Sequence, residues 1–375
     1  MDKSSVFDQE LKIDSANAIR LIEIANWANQ GNPDAQFNLG IAYFHGKGVK
    51  QDFVQAVKWF HLAADQGHMY SQSYLGVSYA NAKGVELDYA IAVKWFRLAA
   101  EQGHPYSQGS LGLAYSHGNG VNKDDIKAIK WLSLASENGD SVSQYNLGFI
   151  YANGKGIPQD GEQAIKWFTL SAKQGYVSAQ HNLAILYDNG SVVPQNYTEA
   201  VKWYRLAADQ GFVISLNNLG IAYKFGNGVQ QDDIEASRLF RLSAERGYAK
   251  AQFNLGKAYE RGYGVEQDYI EANKWYSSAA IQGNTNAQYS LGYSYEKGKG
   301  IKQDYKEAIK LYILAADKGH KYSQNSLWDL YTDDLSDQNN ENSLNEWFQK
   351  SCAKGLQPSC TNYQHFNEIG VERLQ

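Results

Sequence analysis

The residues best suited to acid–base, nucleophilic or metal chemistry are scattered in this chain. Its eight histidines form no cluster, and His68 and His104 stand 36 residues apart, too far to share a metal about 2 Å from each ligand. No serine or cysteine has a base and an orienting acid at a recognisable spacing. The loop glycines Gly46 and Gly48 lack the strand-to-helix context and the Lys-Ser or Lys-Thr ending of a phosphate-binding loop. The sequence therefore predicts a protein without enzymatic activity and without a cofactor.

Composition excludes further classes of protein. The 375 residues include 35 Lys plus Arg and 40 Asp plus Glu, giving a formal charge of −5, which argues against nucleic acid as a partner. Hydrophobic residues make up 43% of the chain and aromatic residues 13%, too much for a disordered chain. No apolar run approaches the roughly 18 residues of a transmembrane helix, and the start carries no evident secretory signal. We expect a cytoplasmic protein as encoded, or one secreted by a route independent of a signal peptide. A periplasmic location is the less favoured alternative.

A period of 36 residues runs through the sequence. Three positions of this period almost always carry leucine, tyrosine and tryptophan. Leucine recurs at Leu39, Leu75, Leu111, Leu147, Leu183, Leu219, Leu255, Leu291 and Leu327, and tyrosine at Tyr43, Tyr79, Tyr115, Tyr151, Tyr187, Tyr223, Tyr259, Tyr295 and Tyr331. Tryptophan recurs at Trp59, Trp95, Trp131, Trp167, Trp203, Trp275 and Trp347, with Leu239 and Leu311 in the two other copies. We expect these columns to form the core.

Each period predicts two helices. The first runs from about Asp34 to Phe44, because apolar residues recur every four positions, and it ends at a glycine-containing loop. Asp52 can cap the second helix, which places Ala56, Trp59, Leu62 and Ala63 on one face. Several copies have Glu or Gln three residues after the cap and could complete a capping box: Gln55, Gln163, Glu199, Glu235, Glu271 and Glu307.

Stacking of these units predicts the fold class. A two-helix unit of this size cannot bury its apolar face alone, so consecutive units must share a continuous core. We expect an all-α protein, a right-handed α-solenoid (superhelix) of antiparallel helix pairs with 36 residues per repeat and a long concave wall.

The repeated residues resemble the Sel-one-like repeat (SLR), a relative of the tetratricopeptide repeat. The resemblance rests on Ala35 to Gly40, Tyr43, the loop Gly46 to Val49, Lys58 to Phe60, and Ala63 to Gly67. It implies an N-terminal capping helix over 1–33, eight repeats over 34–322, a degenerate ninth repeat over 323–358, and a C-terminal capping helix and tail over 359–375.

The resemblance also implies a function. Understood SLR proteins act mostly as adaptors or scaffolds that hold a partner protein, in signalling, protein quality control or, in bacteria, envelope regulation and contact with a host. We therefore expect a bacterial, virulence-associated adaptor that binds a partner protein, such as a host protein, on its concave surface. We expect the chain to be a monomer.

Partner-binding residues should lie in columns that packing does not fix. The first column is amide-bearing and could grip the backbone of an extended peptide: Asn38, Asn146, Asn182, Asn218 and Asn254. The alternative is that these amides bond to the neighbouring repeat. The second candidate is the changing end of the first helix, where Lys224, Phe225, Arg261 and Lys297 replace smaller or neutral residues; drift at an exposed position is the alternative.

A lysine ridge raises a further alternative. It consists of the basic residues directly before the tryptophan column: Lys58, Lys94, Lys130, Lys166, Lys202, Arg238, Lys274 and Lys310. Such a ridge could bind phosphoinositides or other anionic lipids weakly. Acids seven residues further on, such as Asp65 and Glu101, favour a neutral, solvated face instead.

The two cysteines suggest another alternative through the resemblance. A cysteine-rich branch of the SLR family, credited with binding or hydrolysing β-lactams, pairs cysteines at the spacing of Cys352 and Cys360 in every repeat. This chain has that spacing once, so the two residues are a disulfide candidate, and an envelope protein that binds β-lactams or peptidoglycan fragments remains a minor alternative.

Overall fold

The structure is a computed structural model that describes residues 15–332 and 338–353. Within these residues the regular structure consists of nineteen helices and no strand. The chain forms two compact units, Met1–Gln195 (unit 1) and Asn196–Gln375 (unit 2). The expectation of an all-α solenoid is confirmed.

Unit 1 holds the first ten helices. They are α1 (Ser15–Asn29), α2 (Pro33–His45), α3 (Phe53–Ala64), α4 (Met69–Ala80), α5 (Tyr89–Glu101), α6 (Pro105–His117), α7 (Asp125–Glu137), α8 (Ser141–Asn153), α9 (Gly161–Lys173) and α10 (Val177–Asn189). Each helix packs against the next one along the chain, so every helix pair shares its core with the following pair.

Unit 2 repeats this pattern. Its helices are α11 (Tyr197–Asp209), α12 (Val213–Phe225), α13 (Asp233–Glu245), α14 (Ala249–Arg261), α15 (Tyr269–Ile281), α16 (Thr285–Lys297), α17 (Tyr305–Ala316), α18 (Lys321–Thr332) and α19 (Gln338–Ala353). The even-numbered helices from α2 to α18 are the first helices of their repeats, and the odd-numbered helices from α3 to α19 are the second.

The second helices begin at the predicted caps, although the predicted capping box does not form in the usual way. The Asp52 side chain accepts from the Gln55 N–H, and Asp232 accepts from the Glu235 N–H in the same manner. The N–H of Asp232 donates to the Tyr223 carbonyl across the loop, and the Glu235 carboxylate pairs with Arg238 instead. The cap therefore also closes the loop between the two helices of a repeat.

In most repeats the second loop glycine, such as Gly84 or Gly228, lies against the start of the preceding second helix, and in one repeat the glycine is on the opposite side of this contact. Val192 stands where the other loops that the structure describes have glycine, and the residue opposite it is Gly161. A Cβ added to Gly161 would lie 2.3 Å from the Val192 carbonyl oxygen. In this repeat the glycine is therefore on the second helix instead of the loop, and the two backbones can still approach each other closely.

The buried core differs from the expected one at the second helix. The leucine column is fully buried, as expected, but most tryptophans are only half-buried. The large side chains that the second helices bury instead form the column directly after the tryptophan: Phe60, Phe96, Leu132, Phe168, Tyr204, Phe240, Tyr276, Tyr312 and Phe348. Leu62 was wrongly placed in the core: it is 49% exposed, because the helix turns it away from the neighbouring first helices.

The tyrosine column is also less buried than expected. Most of its rings are half-buried, because their hydroxyl groups reach polar side chains on the preceding second helix. Arg97 donates to the Tyr115 hydroxyl at 2.9 Å, and Arg241 donates to the Tyr259 hydroxyl at 2.6 Å. These rings therefore link neighbouring repeats at the edge of the core.

A buried glutamine column joins successive repeats. The Gln144 side chain donates to the Ser136 carbonyl at the end of α7, and its amide oxygen accepts from Gln174 on α9. Gln252 makes the same two bonds in unit 2, to Ala244 and from Gln282. Each buried amide thereby occupies a helix-end carbonyl that would otherwise lack a partner inside the helix.

Several predicted segments lie partly outside the described residues. The predicted N-terminal cap over 1–33 includes α1, whereas 1–14 lie outside the description. The predicted cap over 359–375 and Cys360 lie outside it as well. Cys352 is in the last turn of α19. The domain boundaries and the disulfide therefore stay predictions.

Candidate binding recesses

Unit 1 carries a recess between two consecutive first helices and the loops that follow them. Its volume is about 290 Å³. It is formed by α8, α9 and α10, and it is lined by Phe149, Ala152, Asn153, Gln159, Phe168, Asn182, Ile185, Leu186, Asn189, Ser191 and Val192. We call it the unit-1 recess. None of these lining residues carries a charge.

The unit-1 recess combines apolar surface with fixed amides. Phe149 is 45% exposed, and Phe168 forms the buried base of the recess. Asn153 donates to the Phe149 carbonyl at 2.8 Å, and Gln159 donates to the Ala152 carbonyl at 2.6 Å. These bonds fix the two amide side chains at the rim, where they can offer their oxygens to the backbone of a bound segment.

Unit 2 carries a second recess of about 390 Å³, which we call the unit-2 recess. It is formed by α14, α15, α16 and their loops, and it is lined by Lys257, Glu260, Arg261, Gln267, Tyr269, Tyr289, Ser290, Tyr293 and Lys299. Three cations, three tyrosines and one carboxylate make its chemistry unlike that of the unit-1 recess.

The two recesses occupy the same place in the repeat. Their positions are 108 residues apart, which is three repeats of 36 residues. The positions that line both recesses pair Phe149 with Lys257, Ala152 with Glu260, Asn153 with Arg261, Gln159 with Gln267, Asn182 with Ser290, Ile185 with Tyr293, and Ser191 with Lys299. Only the glutamine pair is identical, so equivalent backbone positions present different chemistry.

Glu260 is held ionised at the wall of the unit-2 recess. Its carboxylate accepts from Lys257 at 2.9 Å and from the Tyr276 hydroxyl at 2.7 Å. Burial opposes ionisation, but the hydrogen bonds from Lys257 and Tyr276 and the nearby charges of Lys257 and Arg261 outweigh it, so the pKa of this carboxyl is lowered. Glu260 thus compensates the charge of Lys257 internally.

Aromatic rings hold the other cations of this region. The Lys299 Nζ lies 5.0 Å from the centre of the Tyr293 ring and 5.8 Å from that of Tyr269. On α12, the Lys224 Nζ lies 5.4 Å from the Phe225 ring centre and 5.5 Å from the Tyr263 ring centre. Burial, followed by the charge on Lys257, lowers the pKa of Lys224.

One buried titratable residue directly precedes Asn182, which lines the unit-1 recess. His181 on α10 is buried, and this burial lowers its pKa to about 4, so the imidazole is neutral at pH 7. The position 108 residues further on is Tyr289, which lines the unit-2 recess. We therefore expect these two regions to differ in their response to acid as well as in charge.

The predicted asparagine column does not form one continuous surface. Asn38 is exposed on α2, and Asn146 donates to the Val142 carbonyl of its own helix. Asn182 lines the unit-1 recess and donates to the Tyr145 hydroxyl at 3.1 Å. The remaining two bond within unit 2: Asn218 donates to the Tyr204 hydroxyl at 3.2 Å, and Asn254 donates to the Asn217 side chain at 2.8 Å.

These contacts match the alternative for most of the column, namely bonds to the neighbouring repeat. Asn182 and Asn254 both reach the preceding first helix, and Asn218 reaches the second helix before it. Such bonds stabilise stacking, because each amide occupies a polar group at the junction of two repeats. A role of the column in partner binding stays a prediction.

The predicted charged positions are only partly brought together. Arg261 lines the unit-2 recess. Lys297 lies next to it in the fold, paired with Glu296 at 2.6 Å and 6.0 Å from the Tyr293 ring centre. Phe225 is 63% exposed at the end of α12, beside Lys224.

In unit 2 the lysine ridge is compensated by different acids from those expected. Lys202 pairs with Glu199 at 2.5 Å, Lys310 pairs with Glu307 at 2.5 Å, and Lys274 pairs with Glu271. These acids stand three residues before the lysine and face the same side of the helix. These acids are residues that the sequence assigned to the capping box, and in the structure they pair with the lysines instead.

Several recess residues were missed at the sequence level, and one left a readable signal. The first-helix column that contains Lys257 is apolar in the six preceding copies: Ile41, Val77, Leu113, Phe149, Ile185 and Ile221. A lysine and then Tyr293 interrupt this column. By contrast, the positions of Tyr269 and Lys299 in the recess depend on how two loops meet, which no single column reveals.

Metal clusters and membrane helices are absent from the part of the chain that the structure describes. Among these residues, no three His, Cys, Asp or Glu side chains come together where they could hold a metal ion. None of the described helices combines the length and the apolar character needed to cross a membrane.

Comparison with known proteins identifies the repeat. The Sel1 repeat model matches residues 33–68, 70–104, 105–140, 141–176, 177–212, 213–248, 249–284, 285–320 and 345–356. A solved protective antigen present in uropathogenic Escherichia coli strains, which displays an SLR fold, is 36% identical; the match covers 92% of this chain and 73% of that chain, with a TM-score of 0.81. A Sel1 repeat protein from Oxalobacter formigenes is 33% identical, covering 82% of this chain and 89% of that chain, with a TM-score of 0.64. No curated protein matches the chain.

Proposed function

Since the chain belongs to the Sel1 repeat family, whose members generally act as protein-interaction scaffolds, we propose that it binds a segment of a partner protein in its two recesses. The observation that carries this proposal is the pair of recesses themselves. They occupy the same place in the repeat, and their linings differ at almost every shared position. A scaffold needs a constant backbone frame with variable side chains at the points of contact.

The dimensions of the recesses fit short pieces of a polypeptide. Volumes of about 290 and 390 Å³ lie at the small end of ligand pockets and can take a few side chains. Exposed aromatic surface at Phe149 and fixed amides at Asn153 and Gln159 supply the apolar and backbone contacts that a peptide uses. These features favour peptide recognition over catalysis, in line with a family that is typically non-enzymatic.

The kind of organism and partner is proposed from the similarity to a solved protein. That relative is a protective antigen of uropathogenic Escherichia coli, which is a statement about that protein alone. Its similarity to this chain supports a bacterial scaffold whose partner is a bacterial signalling protein or a host protein.

Site-specific photo-crosslinking tests the proposal. A library of displayed peptides is selected on the purified full chain, and enriched peptides are then irradiated with variants carrying a benzoyl-phenylalanine at Phe149, Ile185 or Tyr293. The control positions are Leu98 and Leu206, which are exposed on second helices outside the recesses. We expect crosslinks from the recess positions and none from the controls. Failure to enrich any peptide, or crosslinks from the control positions alone, would contradict the proposal.

A further inference from the structure

The unit-2 recess has an excess of positive charge that its architecture does not require. Its charged lining residues are Lys257, Arg261, Lys299 and Glu260, which give a formal charge of 3 − 1 = +2. The matched positions of the unit-1 recess are Phe149, Asn153, Ser191 and Ala152, all uncharged, and the recess forms there as well. The cations are therefore not needed to build the recess.

Two of these cations are available to an incoming ligand. Glu260 compensates Lys257, to which it is hydrogen-bonded at 2.9 Å. In the part of the chain that the structure describes, neither Arg261 nor Lys299 forms an ion pair, although Arg261 is close enough to Glu260 for its charge to lower the pKa of that carboxyl. The Lys299 Nζ instead lies over the faces of Tyr269 and Tyr293, where the rings position the ammonium group and leave its charge uncompensated.

The positive potential also extends beyond the recess. Lys224 on α12 is close enough to Lys257 that the like charge, together with burial, lowers its pKa. Lys297 is at the other side, near the Tyr293 ring, but its charge is compensated by Glu296. A chain with a net charge of −5 thus concentrates cations at one recess, which is the arrangement expected for a site that binds an anion.

We propose that the unit-2 recess binds carboxylate side chains of an acidic segment in the partner protein, with Arg261 and Lys299 as the anchoring cations. This inference rests on the proposed scaffold function and specifies its partner. The Arg261 guanidinium can engage a carboxylate through two parallel N–H donors, while Lys299 contributes a point charge. The tyrosines supply ring surface for the aliphatic stem of a glutamate.

Carboxylates fit this recess better than phosphates do. The Glu260 carboxylate remains ionised at the recess wall and repels a bound anion. This repulsion and the attraction of the recess cations are both about twice as large for a phosphate that carries nearly two charges as for a carboxylate that carries one. The cost of removing the ligand from water grows as the square of its charge, so it is about four times as large for the phosphate. A phosphopeptide is therefore the disfavoured occupant, and it serves as one arm of the test, with an oligonucleotide as another.

Fluorescence anisotropy with four eight-residue probes tests the inference on the full chain. The probes are a peptide alternating glutamate and serine, a peptide alternating glutamine and serine, the latter peptide with its serines phosphorylated, and oligo-uridylate. The variant Arg261→Asn/Lys299→Ser introduces the residues that the unit-1 recess has at the same positions. The matched control Lys250→Asn/Lys321→Ser removes the same charge from exposed positions outside the recess.

We expect the glutamate peptide to bind at least about tenfold more tightly than the glutamine peptide at 50 mM salt. The recess variant should lose about tenfold in affinity, whereas the control variant should lose little beyond the screened long-range effect. Equal losses in both variants, no preference for glutamate over glutamine, or tighter binding of the phosphopeptide or oligo-uridylate would overturn the inference. If library-selected peptides still crosslink at the recess positions in that case, the scaffold function survives without the acidic preference.

Discussion

The unit-1 and unit-2 recesses show how one repeat can be given two chemistries. Both are built by two first helices, one second helix and two loops. At the same position of the second helix each has a deeply buried ring: Phe168 lines the unit-1 recess, and Tyr276 is hydrogen-bonded to Glu260 in the wall of the unit-2 recess. The unit-1 recess is uncharged, whereas the unit-2 recess holds three cations and a carboxylate. The columns that pack the repeat set the shape, and the remaining columns are free to set the ligand.

The largest expected effect comes from removing the base of the unit-1 recess. Phe168→Ala should destabilise the repeats around α9 by about 3–5 kcal/mol, because it leaves a cavity below the Tyr145 ring. Hydrogen exchange followed by mass spectrometry should show lost protection in α8 to α10. The control Leu170→Ala, on the exposed side of α9, should change little. Full protection around α9 in the Phe168 variant would show that this ring is not part of the core.

The second-largest effect is expected from lowering the pH, which should destabilise α10 beside the unit-1 recess but not the matched helix α16 of unit 2. His181 has a folded pKa of about 4 and an unfolded pKa near 6.5, so the unfolded state takes up the proton first as the pH falls. The stabilisation is complete above pH 6.5 and is lost between about pH 6.5 and 4, to a total of about 3 kcal/mol. The measurement is hydrogen exchange of α10 at several pH values, corrected for the intrinsic rate.

The control for the acid experiment is His181→Asn, which places at this position the residue found at Asn217 in the same column. This variant should lose the acid-dependent step in α10. The matched helix α16 of unit 2, with Tyr289 at the same position, should not show the step in either protein. A pH-independent α10 in the unsubstituted chain would mean that His181 is protonated without cost.

A smaller effect is expected behind the wall of the unit-2 recess, where Tyr276 supports Glu260. Tyr276→Phe keeps the ring and removes the hydroxyl that donates to Glu260, which should cost about 1–2 kcal/mol. The pKa of the Glu260 carboxyl should rise, because one of its stabilising donors is gone. Carboxyl chemical shifts followed by NMR during a pH titration measure this change. Tyr312→Phe, which removes the equivalent bond to Glu296, should leave Glu260 unaffected.

The smallest effect concerns a loop of unit 1. Ala82 has a φ of 54°, in the left-handed region, at a position where the other loops that the structure describes have glycine. Ala82→Gly should stabilise the unit by about 0.5–1 kcal/mol, since the relieved strain exceeds the added entropy of the unfolded chain. The reverse change in unit 2, Gly262→Ala, should destabilise by a similar amount. Thermal or denaturant unfolding of both variants checks the opposite signs.

Much of the fold could be predicted from the sequence because the same pattern of residues recurs in eight repeats. The leucine column, the Asp caps such as Asp52 and the glycine loops all follow from spacing and side-chain chemistry. The error at Leu62 arose because Leu62 and its neighbour Ala63 point to different sides of the helix, and hydrophobicity alone does not show which side meets the next repeat.

The recesses were less accessible to sequence reasoning. Arg261 was found because it changed a column at an exposed end, and Lys257 could have been found because it interrupts an apolar column. The opposing roles of Glu260 and Lys299 depend on three-dimensional contacts: one compensates a lysine inside the wall, and the other lies over two rings. A column of aligned repeat positions gives the residue type at each position, but it does not show which neighbouring side chains that residue contacts.

The most direct test exchanges the charged residues between the two recesses. It asks whether the preference for an acidic peptide moves with these side chains while the backbone of both recesses stays the same. The variant combines Arg261→Asn and Lys299→Ser with Asn153→Arg and Ser191→Lys, so its net charge is unchanged. We predict that it regains most of the affinity for the glutamate peptide that the two losses remove, and that the peptide now crosslinks at Ile185 rather than at Tyr293. An exchanged protein that binds the glutamate peptide no better than Arg261→Asn/Lys299→Ser would contradict the account.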